Sequence, residues 1–263
     1  MKRRLIAFVM LFIFSILVTI DSAAAATYEG EGYETAKAAA TAYVEAFNAG
    51  DVQGMISTFA IETAVENFDC ATLLNQQGSY RPSGASNEFL GYPSFNDYIK
   101  QLQVMFRYGD VAQCIFNQYR AWHWPEDVED DYLSSVSFGR DADAAVAFMK
   151  SVQAASQNNW IGRVELIEIF EIKDFDSGYS GSDLEEAIST SQSYYGFDEK
   201  NALVIQLRID GKDCILCMDC VRYESKWYIL SIEGYISFML GYDWRVGGLL
   251  PYEALAEEIE SIR

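Results

Sequence analysis

From Tyr33 the apolar residues fall at Tyr33, Ala36, Ala40, Tyr43, Val44 and Phe47, a spacing of three and four that gathers them on one side of a helix. Asn48, Ala49, Gly50 and Asp51 end that helix, and Asp51 is placed to cap a second one carrying Met55, Ile56 and Phe59. A further helical stretch is predicted over 65–74, closed by the Gly, Ser and Pro cluster of 78–84. Helix returns at Ser94, with Phe95, Tyr98, Ile99, Leu102, Met105 and Phe106 on one side; Gly109 is expected to interrupt it before Ile115, Phe116 and Tyr119. Trp122, His123, Trp124 and Pro125 end this segment, and an alanine-rich helix follows over 141–155.

After Trp160 the period changes from that of a helix to that of a strand. The run 164–172 is rich in β-branched and apolar residues, a helix is predicted over 183–194, and 203–209 is a second strand. Asp210 and Gly211 make a strong two-residue hairpin signal because both tolerate positive φ. A third strand runs over 214–223, Glu224 and Ser225 turn the chain again, and a fourth strand is predicted over 226–233. Pro251 opens a closing helix whose apolar side is Tyr252, Leu255, Ile259 and Ile262.

Helices first and an antiparallel meander last is an α+β pattern, with helices packed on one face of a curved antiparallel sheet. The segment AYVEAFNAGDVQGMISTFA resembles the opening of the nuclear transport factor two-like superfamily, the ketosteroid-isomerase-like α+β cone, and CVRYESKWYILSI is similar to that family's last hairpin. The resemblance implies a cone-like fold with a pocket. It implies no particular reaction, because the family includes enzymes, binding modules and accessory domains. Against a minimal cone the chain carries a helical insertion at about 78–160.

Composition adds where the protein works. Lys2, Arg3 and Arg4 precede an apolar run over 5–20, and Ala23–Ala26 supply small residues for cleavage, so residues 1–26 read as a secretory signal peptide and 27–263 as a single exported domain. The apolar run is short for a bilayer span, and no Cys stands at the cleavage region to take a lipid. The expected location is secreted or at the cell envelope, with no stable membrane span after cleavage. A net charge of −20 repels nucleic acid and anionic lipid.

Few residues carry chemistry. Cys214, Cys217 and Cys220 spell CxxCxxC, but residues three apart on a strand point to opposite faces, so no shared metal or bridge can join all three. His123 is the only histidine, which removes multi-histidine metal sites. Trp122, His123 and Trp124 could form an aromatic platform for a sugar or another flat ligand, or pack as core at a helix end. Asp174, Asp176, Ser180, Ser182 and Glu185 resemble a calcium loop, but Tyr179 occupies the place of the turn glycine. No metal site and no cofactor is expected, and no nucleophile elbow or phosphate-binding loop is present.

Hairpin register locates the candidate pocket. Two-residue loops at Asp210–Gly211 and Glu224–Ser225 pair Leu207 with Cys214, Ile205 with Leu216 and Leu203 with Met218 on one apolar face. On that face they would also put Ile229 beside Cys220, Ser231 beside Met218 and Glu233 beside Leu216. Glu233, Ser231, Met218, Leu216 and Ile229 are therefore the candidate pocket residues, with burial raising the Glu233 carboxyl. Three roles fit: a secreted non-catalytic binding or accessory domain for a small molecule, glycan or envelope partner; an isomerase, dehydratase or cyclase using Glu233 as base; and a structural interaction domain with a filled cone.

Overall fold

The structure, a computed structural model, describes residues 28–69, 72, 97–123, 162–175, 182–232, 234–241 and 247–263. The expected signal peptide, the 141–155 helix, Cys70, Trp124, Glu233 and residues 176–181 of the calcium-like loop lie outside them. Among the described residues no helix is long and apolar enough to cross a membrane.

Four strands form an antiparallel meander in chain order: β1 (Val164–Glu171), β2 (Glu199–Ile209), β3 (Lys212–Tyr223) and β4 (Lys226–Ser231). A short β5 (Leu249–Pro251) pairs with the first part of β3. Both predicted hairpins form, with Asp210 at φ 48°, Gly211 at φ 82° and Glu224 at φ 54°. The amino-terminal helices cover one face of the curved sheet, called the helix-covered face below, making the fold α+β.

The first helix, α1 (Ala36–Ala49), is capped by the Thr35 hydroxyl and ends at Gly50 in the left-handed region at φ 65°. Its predicted apolar side is the buried one: Ala36, Ala40, Tyr43, Val44 and Phe47. Asp51 caps α2 (Val52–Ser57) by accepting the Gly54 N–H at 2.9 Å. The next helix, α3 (Glu62–Asn67), starts earlier than the pattern placed it, because the chain turns at Ile61 directly after Phe59 pairs with Ile229. Continuous helix then runs as α4 (Asp97–His123), passing through Gly109 without a break. A glycine in a helix interior costs about 1 kcal/mol, and burial of Tyr108, Val111, Ala112 and Ile115 around it offsets that.

The opposite face of the sheet is covered too. Leu255 and Ile259 of the closing segment pack with Ile215, Cys217, Val204 and Leu250, and the predicted partners Tyr252 and Ile262 sit half-buried beside them. This closing segment is a 3-10 turn (Tyr252–Ala254) followed by α7 (Ala256–Ser261); Pro251 ends β5 and does not open the helix. On the same side lie α5 (Ser182–Tyr195), within a residue of its predicted bounds, and α6 (Gly234–Met239), which the pattern did not show.

Gly248 lies at φ 73° where a side chain would collide with the Ile232 carbonyl, and its own carbonyl accepts the Cys217 N–H at 2.9 Å. Only glycine lets the chain approach the sheet this closely.

Candidate functional site

The helix-covered face is where sequence placed the pocket. The β2–β3 register is as predicted: Leu203 opposite Met218, Ile205 opposite Leu216, Leu207 opposite Cys214. Leu216, Met218 and Ile229, like Leu203 and Ile205, have 0% exposure. Zero exposure means that no gap the size of a water molecule touches them. Tyr43, Phe47, Met55, Ile56 and Phe59 fill the space above, with the Tyr43 and Phe59 rings edge to face at 5.9 Å.

The few polar groups in this core engage one another. The Tyr43 hydroxyl donates to Gln118 Oε1 at 2.7 Å, and Gln118 Nε2 donates to the Gly247 carbonyl at 2.8 Å. Burial pushes the Tyr43 hydroxyl well above its ordinary range. This chain of bonds ties α1 and α4 to the backbone just before β5.

Beyond Cys220 the expected register fails. Ile229 does pair with Cys220, but the next pair is Ser231 with Asp219, because Leu230 is an extra residue in β4. A β-bulge of one residue turns every later side chain to the other face. Ser231 therefore faces Asp219 instead of Met218, and Ile232, fully buried, takes the apolar position predicted for Ser231. The strand also ends at Ser231, and the predicted strand partner of Leu216 is replaced by Leu249 of β5. Among the described residues, Ile232 and Leu249 join Leu216 and Met218 in this core.

Arg107 of α4 explains why the bulge is tolerated. Its guanidinium donates to the Leu230 carbonyl and, at 3.2 Å, to the Ala60 carbonyl. A bulge takes a carbonyl out of the ladder, and a charged donor satisfies it.

The opposite face holds a charged pair that sequence reading missed. Lys200 Nζ lies 2.7 Å from Asp219 Oδ2, with side-chain exposures of 9% and 7%. Ala202 is the cross-strand partner of Asp219, so Lys200 reaches it diagonally on the same face. The available signal was an Asp inside the apolar run of β3, on the face of Ile215 and Cys217. A second missed group is a clasp near the amino terminus. Glu29 Oε2 accepts the N–H of Ile61 at 2.6 Å and of Thr63 at 3.0 Å, and Glu62 accepts the N–H of Tyr28 at 2.7 Å and of Glu29 at 3.1 Å.

The cysteines divide between faces as strand parity requires, Cys214 and Cys220 in the helix-covered core and Cys217 in the other. All three carry free thiols. Burial pushes the Cys214 thiol up to about 12 and those of Cys217 and Cys220 higher still, which removes them as nucleophiles near neutral pH. Trp122 is half-buried against the core, and Lys212 Nζ lies over its ring at 5.8 Å from the centroid. One face of that indole is thus occupied from within the chain. For His123 the backbone closes α4, and its side chain lies outside the described residues. Among the described residues no cluster of His, Cys, Asp and Glu could hold a metal ion.

No family model matches the chain, and no curated protein matches it. Among solved structures it is similar to a cystatin-like protein from Ruminococcus gnavus at 12% identity, with a TM-score of 0.44 over 74% of this chain and 39% of that one. The chain thus spans well under half the length of that neighbour.

Proposed function

We propose that this chain is an exported, non-catalytic binding or accessory domain that engages a glycan or envelope partner through its outer surface, on an α+β cone whose interior is filled. The observation that carries this reading is the closure of the helix-covered face, where Leu203, Ile205, Leu216, Met218 and Ile229 have 0% exposure. An isomerase, dehydratase or cyclase needs a base and a donor converging on one accessible atom. On this face the polar side chains in hydrogen-bond reach, Tyr43 and Gln118, are engaged with each other. A small-ligand site likewise needs concave apolar volume lined by a few free polar groups.

An anilinonaphthalene dye, whose fluorescence rises on entering an apolar cavity, tests the reading. The folded protein should leave it dim. Saturable, stoichiometric binding to the folded protein, competed by small apolar ligands, would return the pocket to the candidate list. Export is tested separately: protein recovered from outside the producing cell should begin near Thr27, and a full-length membrane-retained product would refute it.

A further inference from the structure

The clasp near the amino terminus holds two carboxylates and no cation. Glu29 accepts the N–H groups of Ile61 and Thr63 through Oε2 and the Thr63 hydroxyl through Oε1, while Glu62 accepts the N–H groups of Tyr28 and Glu29. Every one of these bonds arrives from a donor, as two ionised carboxylates require. None of the ion pairs among the described residues involves either carboxylate. Arg107 is committed to the Ala60 and Leu230 carbonyls, and Lys226 to Glu34. Two like charges therefore share the clasp, held by neutral donors alone.

A seam continues from it. Gly30 donates its N–H to the Ser57 carbonyl at 2.8 Å, and Tyr33 and Trp227 exchange a pair of backbone bonds, so this segment covers part of the outer edge of β4. Residue 27 lies outside the described residues, but covalent geometry bounds where its nitrogen can be. Consecutive backbone nitrogens are at most about 3.7 Å apart. Because the Tyr28 nitrogen is 2.7 Å from Glu62 Oε1, the nitrogen of residue 27 lies within about 6.4 Å of that oxygen in any conformation. In the uncleaved chain that nitrogen is a neutral amide, and upstream of it the basic residues are Lys2, Arg3 and Arg4 at the far end of the leader. Hydrolysis of the 26–27 peptide bond adds one water and leaves a carboxylate on Ala26 and an α-ammonium on Thr27.

We infer that removal of the leader closes this clasp: the new α-ammonium of Thr27 pairs with Glu62, supplies the cation that Glu29 and Glu62 lack, and locks residues 28–33 onto the β4 edge. The lock rests on the export proposed for this chain, and it makes processing the step that completes the fold. Other titratable groups around the clasp are Tyr108 on α4, whose ring centroid lies 4.2 Å from that of Tyr28, and Tyr223 and Tyr228 on the sheet. Burial raises all three hydroxyls above 10, so they stay neutral where the amine titrates. Lys226 faces Glu34 and Glu31.

NMR of Thr27 in the mature protein reads the amine directly. It should titrate about half a pH unit to one pH unit above the value of about 7.7–8.0 usual for an α-amine. A group raised in the folded state contributes stability that is fully present below its unfolded value and is lost as pH rises through its folded value. Near pH 7, amide exchange at Gly30 and Tyr33 should accordingly be about threefold to tenfold slower than in the same protein acetylated at its α-amine, and the difference should disappear once the amine is deprotonated. In Glu62→Gln, whose amide oxygen still accepts an N–H, the amine should return toward its ordinary value and acetylation should change little. An amine at its ordinary value, equal exchange in the free and acetylated forms, or a shift kept in full by Glu62→Gln would each overturn the lock. A full-length product from the producing cell, seen by mass, would overturn export and lock together, whereas a Thr27 product with an ordinary amine overturns the lock and leaves export standing.

Discussion

The two faces of the sheet solve the same burial problem with different chemistry. Under the helices every inward position of β2 from Leu203 to Ile209 and of β3 from Cys214 to Cys220 is apolar or a thiol, and the seal is made by shape. On the other face Lys200, Asp219 and Gln206 are buried among Ile215, Cys217 and Val221, and the seal depends on pairing. An apolar face tolerates adjustment of volume, whereas a charged one fails when a partner is lost. The contrast sits on adjacent residues: Met218 points into one face and Asp219 into the other.

That adjacency allows each side to be broken alone. Asp219→Ala should give the largest loss, about 3–5 kcal/mol in urea unfolding, because it strands a buried ammonium. Replacing both partners, Lys200→Met with Asp219→Leu, should recover most of that loss; a double variant as unstable as Asp219→Ala would show that the pair does more than compensate itself. Met218→Ala should follow, losing about 2–5 kcal/mol through the cavity it opens. Little loss there would mean that the helix-covered face is already loose. Arg107→Met removes the donor to the Leu230 and Ala60 carbonyls and should cost about 1–3 kcal/mol. An Arg107→Met midpoint equal to the parent's would remove the guanidinium from the account of the bulge.

The alternation in β2 and β3 made most of the fold legible. Apolar residues at every second position, with Asp210 and Gly211 between, leave one register that keeps them on one face, and all the predicted β2–β3 pairs are present. The same logic carried past Cys220 misplaced Ser231, since the bulge at Leu230 is stabilised by Arg107, more than a hundred residues away in the chain. No local pattern contains such a contact. Likewise β5 is three residues long and ends in Pro251, too short for a period to register, and the Lys200–Asp219 pair and the Glu29–Glu62 clasp exist only once the strands and the amino-terminal segment are brought together. Of the candidate site, the positions of Leu216, Met218 and Ile229 were readable; that their face is filled was not, because the filling comes from Tyr43, Phe47 and Phe59 in another part of the chain.

The smallest effect near neutral pH belongs to the thiols, which lie on both faces. With Cys214 raised to about 12 and Cys217 and Cys220 beyond it, their burial as neutral groups favours the folded state fully below the ordinary value of 9.0 and progressively less as pH climbs through the folded values. The urea midpoint should accordingly hold through pH 8 and fall above 9, and iodoacetamide should label none of the three in the folded protein. Rapid labelling at neutral pH would contradict their placement.

Crystals of the parent and of Met218→Ala under xenon pressure show whether the interior is filled, since xenon enters apolar cavities whatever their shape. No xenon should bind beneath the helices in the parent, and one atom should occupy the site vacated by the Met218 side chain in the variant. Xenon in the parent, in contact with Leu216, Met218 and Ile229, would contradict the filled interior and with it the reading of this chain as a surface-binding domain.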